Sequence, residues 1–186
     1  MSPTATPTAS PVRTFVPFIN EFHYDDTSGD AENHFVEIAA PIGADLNEWG
    51  IYLYAADGFF YEGTFFDFSP PLAESPLGSG VGFYSVDFTN TWMNDPFGGI
   101  APTDGGIALI DHNGLVADFI SYGGSFQAID GPASGEFAED VFSTEDSTTP
   151  TFSSIGRTGI GSEADDFVWS PLNASKNAVN QAQTFE

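Results

Sequence analysis

The sequence contains no cysteine. That absence excludes disulfides, thiolate metal sites and cysteine nucleophiles. Cationic residues are almost as scarce. Arg13, Arg157 and Lys176 stand alone against 27 Asp and Glu, which leaves a formal charge of −24. Phosphate recognition needs several Lys or Arg, so no direct nucleic-acid binding is expected. An anionic membrane surface is disfavoured for the same reason. No run of 18 apolar residues occurs, so no membrane insertion is expected either. Stretches with helical periodicity are also missing. The nearest, Ala133 to Phe142, is short and interrupted by Gly135.

Aromatic residues and turn formers are abundant. The chain of 186 residues holds 19 Phe, 6 Tyr and 3 Trp, with 20 Gly and 13 Pro spread along it. Short aromatic and β-branched runs cut by Gly, Pro, Asn and Asp read as strands and turns. The length suits one domain that buries a core without staples. Residues 1–14 form a Pro/Thr-rich flexible arm or linker. They lack the basic and apolar regions of a signal peptide. Such an arm fits a domain cut from a larger protein, or an arm with a function of its own.

The remaining residues, 15–186, read as one sandwich domain. Strands are expected over Phe15–Tyr24, His34–Ala40, Trp49–Ala55, Phe59–Phe68, Val81–Phe88, Gly106–Asp111, Leu115–Ser121, Ser153–Arg157 and Phe167–Ser170. Pro17 sets the first at an edge or at a strand start. Asp57-Gly58 and His112-Asn113-Gly114 mark hairpins. The pattern predicts an all-β fold, a β-sandwich of about eight to ten short strands with little or no helix.

Five segments occur in a recognisable order. They are Ile19-Asn20-Glu21-Phe22, Phe35-Val36-Glu37-Ile38, Asp45-Leu46 with Trp49, Asp104 to Asp111 with Gly114 and Val116, and Asp166-Phe167-Trp169 with Asn180-Gln183-Thr184-Phe185. This order resembles the lamin tail domain family, especially its bacterial extracellular members. The resemblance covers nearly everything after the arm. It implies an immunoglobulin-like sandwich and no catalytic residues. It also implies an extracellular or cell-surface module of the kind appended to secreted hydrolases and surface proteins, with a protein partner or the other domains of a parent chain.

The residues raise further candidates. Asp25, Asp26, Ser28, Asp30 and Glu32 put oxygen ligands around Gly29, a loop that could hold calcium, though its spacing is not that of an EF-hand. The bland alternative is a solvated acidic turn. His23 and His34 flank this loop and approach each other if the first two strands pair; Asp25 or Asp30 would be the companion of a transition metal there. Asp104 and Asp111 bracket one strand and cannot share an ion. Glu21 and Glu37 sit in apolar strands: they need donors or a cation if buried, and nothing if they lie on a wet face. Trp49 and Trp169 are expected in the core. Hydrolysis finds no Gly-x-Ser-x-Gly elbow, and phosphoryl chemistry finds too few cations. For assembly into a homo-oligomer, the candidate interface is Phe15, Val16, Phe59, Phe60, Phe65, Phe66 and Trp92, together with the arm and an edge strand. The functional expectation is therefore a non-catalytic extracellular binding or targeting module stabilised by calcium. Its alternative is a self-assembling subunit of a surface filament or layer.

Overall fold

A computed structural model of the chain describes residues 12–28, 33–88 and 100–186. Among these residues there is no α-helix, and the architecture is an immunoglobulin-like β-sandwich of two sheets. The strands are β1 (Phe18–His23), β2 (Phe35–Pro41), β3 (Gly50–Ala55), β4 (Phe60–Phe65), β5 (Ala73–Glu74), β6 (Val81–Asp87), β7 (Gly105–Ile110), β8 (Val116–Tyr122), β9 (Glu139–Asp140), β10 (Ser153–Gly161), β11 (Val168–Asn173) and β12 (Gln183–Phe185). The first sheet has the order β11-β10-β1-β2-β6-β5, with β12 added in parallel to the end of β10. The second has the order β4-β3-β7-β8-β9.

The strands predicted from alternation are all present, within a residue or a few at each end. β5, β9 and β12 are additional, the first two only two residues long and the third three. Pro17 directly precedes β1, as the strand-start reading requires. The edge reading is corrected, because β1 lies between β10 and β2 in the middle of its sheet. A proline just ahead of the first pairing residue costs the ladder no donor. The run from Ala133 to Phe142 is turns and β9, not helix.

Side chains between the sheets form the main core, built from Ile19, Phe22, Val36 and Ile38 on one side and Ile51, Leu53, Ile107, Leu109 and Ile120 on the other. Trp49 is buried in it and Trp169 packs against it. Each fully buried large apolar side chain contributes about 1.5–3 kcal/mol. Two further apolar clusters lie on the outer faces. Over the second sheet, the segment 124–138 brings Ala128, Ala133 and Ala138 onto Tyr54, Ala108, Ile110 and Phe119. Over the first, Val179 and Phe185 of the C-terminal segment join Phe15 and Phe167 on Phe18, Ala39, Val81 and Phe83. Both sheets are thus covered on both sides, which is why all six residues of β1 and of β7 are buried.

One irregularity decides where the polar groups go. The β1–β2 register shifts between Ile19 and Glu21, so that Asn20 is an extra residue in β1. A bulge of this kind places two successive side chains on one face. Ile19 and Phe22 point into the main core, and Asn20 and Glu21 both point outward under the C-terminal segment.

Candidate functional site

The buried carboxylates come first. Glu21 and Glu37 are directly opposed across the β1–β2 ladder, and neither is accessible to solvent. The wet-face reading is therefore corrected: the C-terminal segment roofs the face on which they lie. Donors surround both. Glu21 Oε1 accepts from Ser154 Oγ at 2.6 Å and from the Ser175 N–H at 2.9 Å. Its Oε2 lies 2.8 Å from Ser175 Oγ. Glu37 accepts from Asn20 Nδ2 and Ser85 Oγ, each at 3.0 Å, and from the Asn177 N–H. Burial pushes the Glu37 carboxyl up to about 8, and the opposing Glu21 adds to the rise against the pull of its three donors. Burial raises Glu21 as well, with Ser154, Ser175 and Lys176 opposing. Two carboxyls this close in a dry site titrate as one unit.

Amides complete the seam. Gln183 Nε2 donates to Asn20 Oδ1 at 2.7 Å. Asn180 Nδ2 donates to the carbonyls of Asn20 and Arg157, at 3.1 and 3.0 Å. Asn180 and Gln183 are themselves buried. The C-terminal segment is thus held by hydrogen bonds to β1, β2, β6 and β10 as well as by Phe185.

A second polar cluster lies at the far end of β1. His23 Nδ1 is 2.9 Å from Glu145 Oε1, and its Nε2 is 3.2 Å from Asp26 Oδ2. Burial alone would lower the imidazole, but the two carboxylates outweigh it and raise its pKa. A carboxylate on each nitrogen favours the doubly donating imidazolium over the neutral ring. Glu145 also accepts from the Tyr24 N–H through Oε2, and its own N–H donates to the Tyr24 hydroxyl at 2.6 Å. Asp26 is buried, which works to raise it, yet Ser28 and His23 hold its carboxyl below the usual range. The rings of His23 and His34 are 6.1 Å apart, edge to face, as expected from pairing of the first two strands.

Of the calcium candidates, Asp25, Asp26 and Ser28 lie together in the β1–β2 connection. Asp30 and Glu32 lie outside the described residues. Asp26 has one oxygen on the Ser28 backbone and hydroxyl and the other on His23. Asp25 is half-buried; burial raises its pKa, and the charges of Asp146, Glu145 and Asp26 add to the rise. The Thr27 N–H bonds to the Thr149 carbonyl at 2.9 Å, which draws the acidic stretch around Glu145 against this loop. Among the described residues, no three His or carboxylate side chains converge as metal ligands. Asp104 and Asp111 lie at opposite ends of β7, as expected.

The third buried charge spans the two sheets. Arg157 of β10 meets Asp118 of β8, with Nη2 to Oδ2 at 2.9 Å. Its Nε donates to the Ile19 carbonyl at 2.8 Å and its Nη1 to the Ala164 carbonyl at 2.7 Å. The guanidinium also stacks 4.5 Å from the Trp169 ring centre. Asp118 Oδ2 accepts from the Ile19 N–H at 3.0 Å. The other two cations are tied down too. Lys176 Nζ sits 2.7 Å from Asp87, and Arg13 donates to the Ser79 and Phe185 carbonyls.

The candidate interface residues separate into two groups. Phe15 and Phe66 are buried in apolar clusters, and Phe60 packs partly against the segment over the second sheet. Val16, Phe59 and Phe65 are 63%, 52% and 60% exposed. Trp92 lies outside the described residues. Sequence reasoning missed Glu145, which sits in a polar loop without any local signal, and it missed the roles of Ser175 and Asn177. It noted Asn180 and Gln183 only as members of an ordered pattern.

A surface cleft of about 450 Å³ is lined by Ile42, Ala44, Asp45, Ser69, Pro70 and Leu72. Its one hydroxyl, that of Ser69, donates to the Ala44 carbonyl and accepts from the Leu46 N–H. No family model, no curated protein and no solved structure matches the chain.

Proposed function

We propose that the protein is a non-catalytic extracellular binding or targeting module, similar to the lamin tail domains it resembles in motif order and stabilised by calcium at the β1–β2 connection. One observation carries the non-catalytic part. Six ionisable groups inside the fold, Glu21, Glu37, His23, Glu145, Asp118 and Arg157, are engaged in contacts that hold its segments together. None is left facing a cleft as a base beside a nucleophile. The anionic surface supports a cationic or metal-bridged partner over a nucleic acid, because all three cations bond within the chain. The calcium part rests on the acidic residues Asp25, Asp26 and Asp146 gathering at one end of β1 beside Glu145.

The second reading is a self-assembling subunit. Exposed Phe59 and Phe65 favour it, because they flank or end β4, the outermost strand of the second sheet.

One pair of measurements tests both readings. Thermal melts with calcium and with chelator should differ, calcium raising the midpoint; identical midpoints overturn the calcium assignment. Light scattering should give a monomer for the binding module. Large species that disappear on removal of residues 1–11, or on Phe65→Glu, would establish assembly instead.

A further inference from the structure

The C-terminal segment, residues 174–186, lies across the outer face of the first sheet and ends in β12. Its polar attachment centres on Glu21 and Glu37, and counting hydrogens there shows a missing proton. Asn180 Nδ2 donates to two backbone carbonyls, which fixes the amide and leaves its Oδ1 as a pure acceptor. Ser175 Oγ lies 2.9 Å from that Oδ1 and must give it the single hydroxyl hydrogen. The same Ser175 Oγ lies 2.8 Å from Glu21 Oε2. One hydroxyl hydrogen cannot serve both contacts, and a protonated Glu21 supplies the second. Glu37 differs. Its donors from Asn20 and the Asn177 N–H are unambiguous, since Asn20 Oδ1 is already held by Gln183. The hydrogen-bond count seats the proton on Glu21, whereas burial ranks Glu37 higher; the pair as a unit takes up one proton.

We propose that this shared proton is a latch: the carboxyl pair holds the C-terminal segment down while it carries one proton, and loss of that proton releases the segment and uncovers Phe18, Ala39, Val81 and Phe83. This goes beyond the functional reading and does not depend on it. Other charged groups around the pair do not substitute for the proton. On β1, His23 is held by Glu145 and Asp26. On β6, Asp87 takes Lys176 of the segment itself. On β5, Glu74 accepts from the Gly80 N–H. On β10, Arg157 is turned to Asp118. Arg13 holds the Phe185 carbonyl by one bond.

The sign follows from the direction of the shift. A carboxyl freed with the segment titrates near 4.5, and in the closed form Glu37 titrates at about 8. Closure is therefore fully supported below pH 4.5 and weakens as the pH rises through 8. The closing constant falls by roughly 10³-fold across that window.

Amide hydrogen exchange, corrected for its intrinsic pH dependence, tests the latch. Between pH 5 and pH 9, protection at Asn177 and Gln183 should fall about 100-fold or more relative to Ile107 and Leu109 of β7. In the double variant Glu21→Gln with Glu37→Gln, which keeps the shape and removes both titratable groups, the ratio should stay flat. An unchanged ratio in the natural protein, or an equal fall in the variant, overturns the proposal. Carboxyl NMR of the natural protein covers the case in which the variant does not fold. One of the two Glu carboxyls should titrate well above pH 6; both titrating near 4.5 overturns the latch.

Discussion

Replacing Arg157 by Met is the sharpest test of how the two sheets are held in register. The substitution keeps much of the side-chain volume against Trp169 and removes the charge. It deletes hydrogen bonds to the Ile19 and Ala164 carbonyls and leaves Asp118 without its counter-ion. The Asp118 side chain is only 12% exposed, so water cannot take over the arginine's place. Breaking a buried pair from one side costs about 3–5 kcal/mol. With a urea dependence of about 2 kcal/mol per M, the unfolding midpoint should fall by about 1.5–2.5 M. The double variant Arg157→Met with Asp118→Asn removes both charges and keeps an acceptor for the Ile19 N–H. It should recover to within about 1.5 kcal/mol of the natural protein. A pH series adds an independent check. Burial already raises Asp118 against the pull of Arg157, and without the arginine its pKa rises further. A raised folded-state pKa supports the fold at low pH and loses that support as the pH increases. The deficit of Arg157→Met should therefore be smaller at pH 5 than at pH 8. The reasoning fails if the single variant loses less than about 1 kcal/mol, or if the double variant is no better than the single.

Two further outcomes follow from local geometry. The His23 imidazole is raised by Glu145 and Asp26, so its stabilising contribution is full below 6.5 and is lost as the pH rises through the raised value. His23→Gln should cost about 1–3 kcal/mol at pH 6 and less at pH 9, read from urea midpoints; a cost independent of pH would contradict the ion pairing. Gly58, in the β3–β4 hairpin, has φ +88°, and an added Cβ would sit 2.3 Å from the Gln127 carbonyl oxygen, whereas Gly78, at φ +85°, faces open space. Gly58→Ala should therefore lower the melting temperature by several degrees more than Gly78→Ala, and equal losses would show that backbone conformation alone decides both.

Much of the fold is legible because its strands are short, aromatic and separated by strong turn residues. The hairpin at Asp111 to Leu115 is an example: Asp111 caps the turn through the Asn113 and Leu115 N–H groups, and Gly114 takes the positive φ. The covered outer faces are less legible. His34-Phe35-Val36-Glu37-Ile38-Ala39-Ala40 does not alternate cleanly, because Ala39 faces one apolar layer and Phe35 lies under Lys176, while Val36 and Ile38 face another layer. Alternation identifies a buried face only when the opposite face is wet. The polar seam was hidden for a different reason. Glu21 looks like a solvated position until a segment 154 residues away is laid over it. Glu145 lies 122 residues from His23 in a stretch of polar turn residues, where nothing local marks one carboxylate from its neighbours. Of the candidate calcium ligands, Asp25, Asp26 and Ser28 were legible as a loop, and the acidic stretch beyond β9 that joins them was not.

The bulge in β1 gives the strand an arithmetic of its own. Ile19 and Phe22, three residues apart, share the inner face, where an unbroken strand would have separated them. Shortening this strand by Asn20 would therefore not simply delete one amide. It would restore plain alternation, with Phe18 still outward and Ile19 still inward, and would leave Gln183 and Glu37 reaching for a partner no longer there. The one residue of extra length thus leaves the greasy inner face unbroken and sets an amide beside Glu21 in the polar seam on the other.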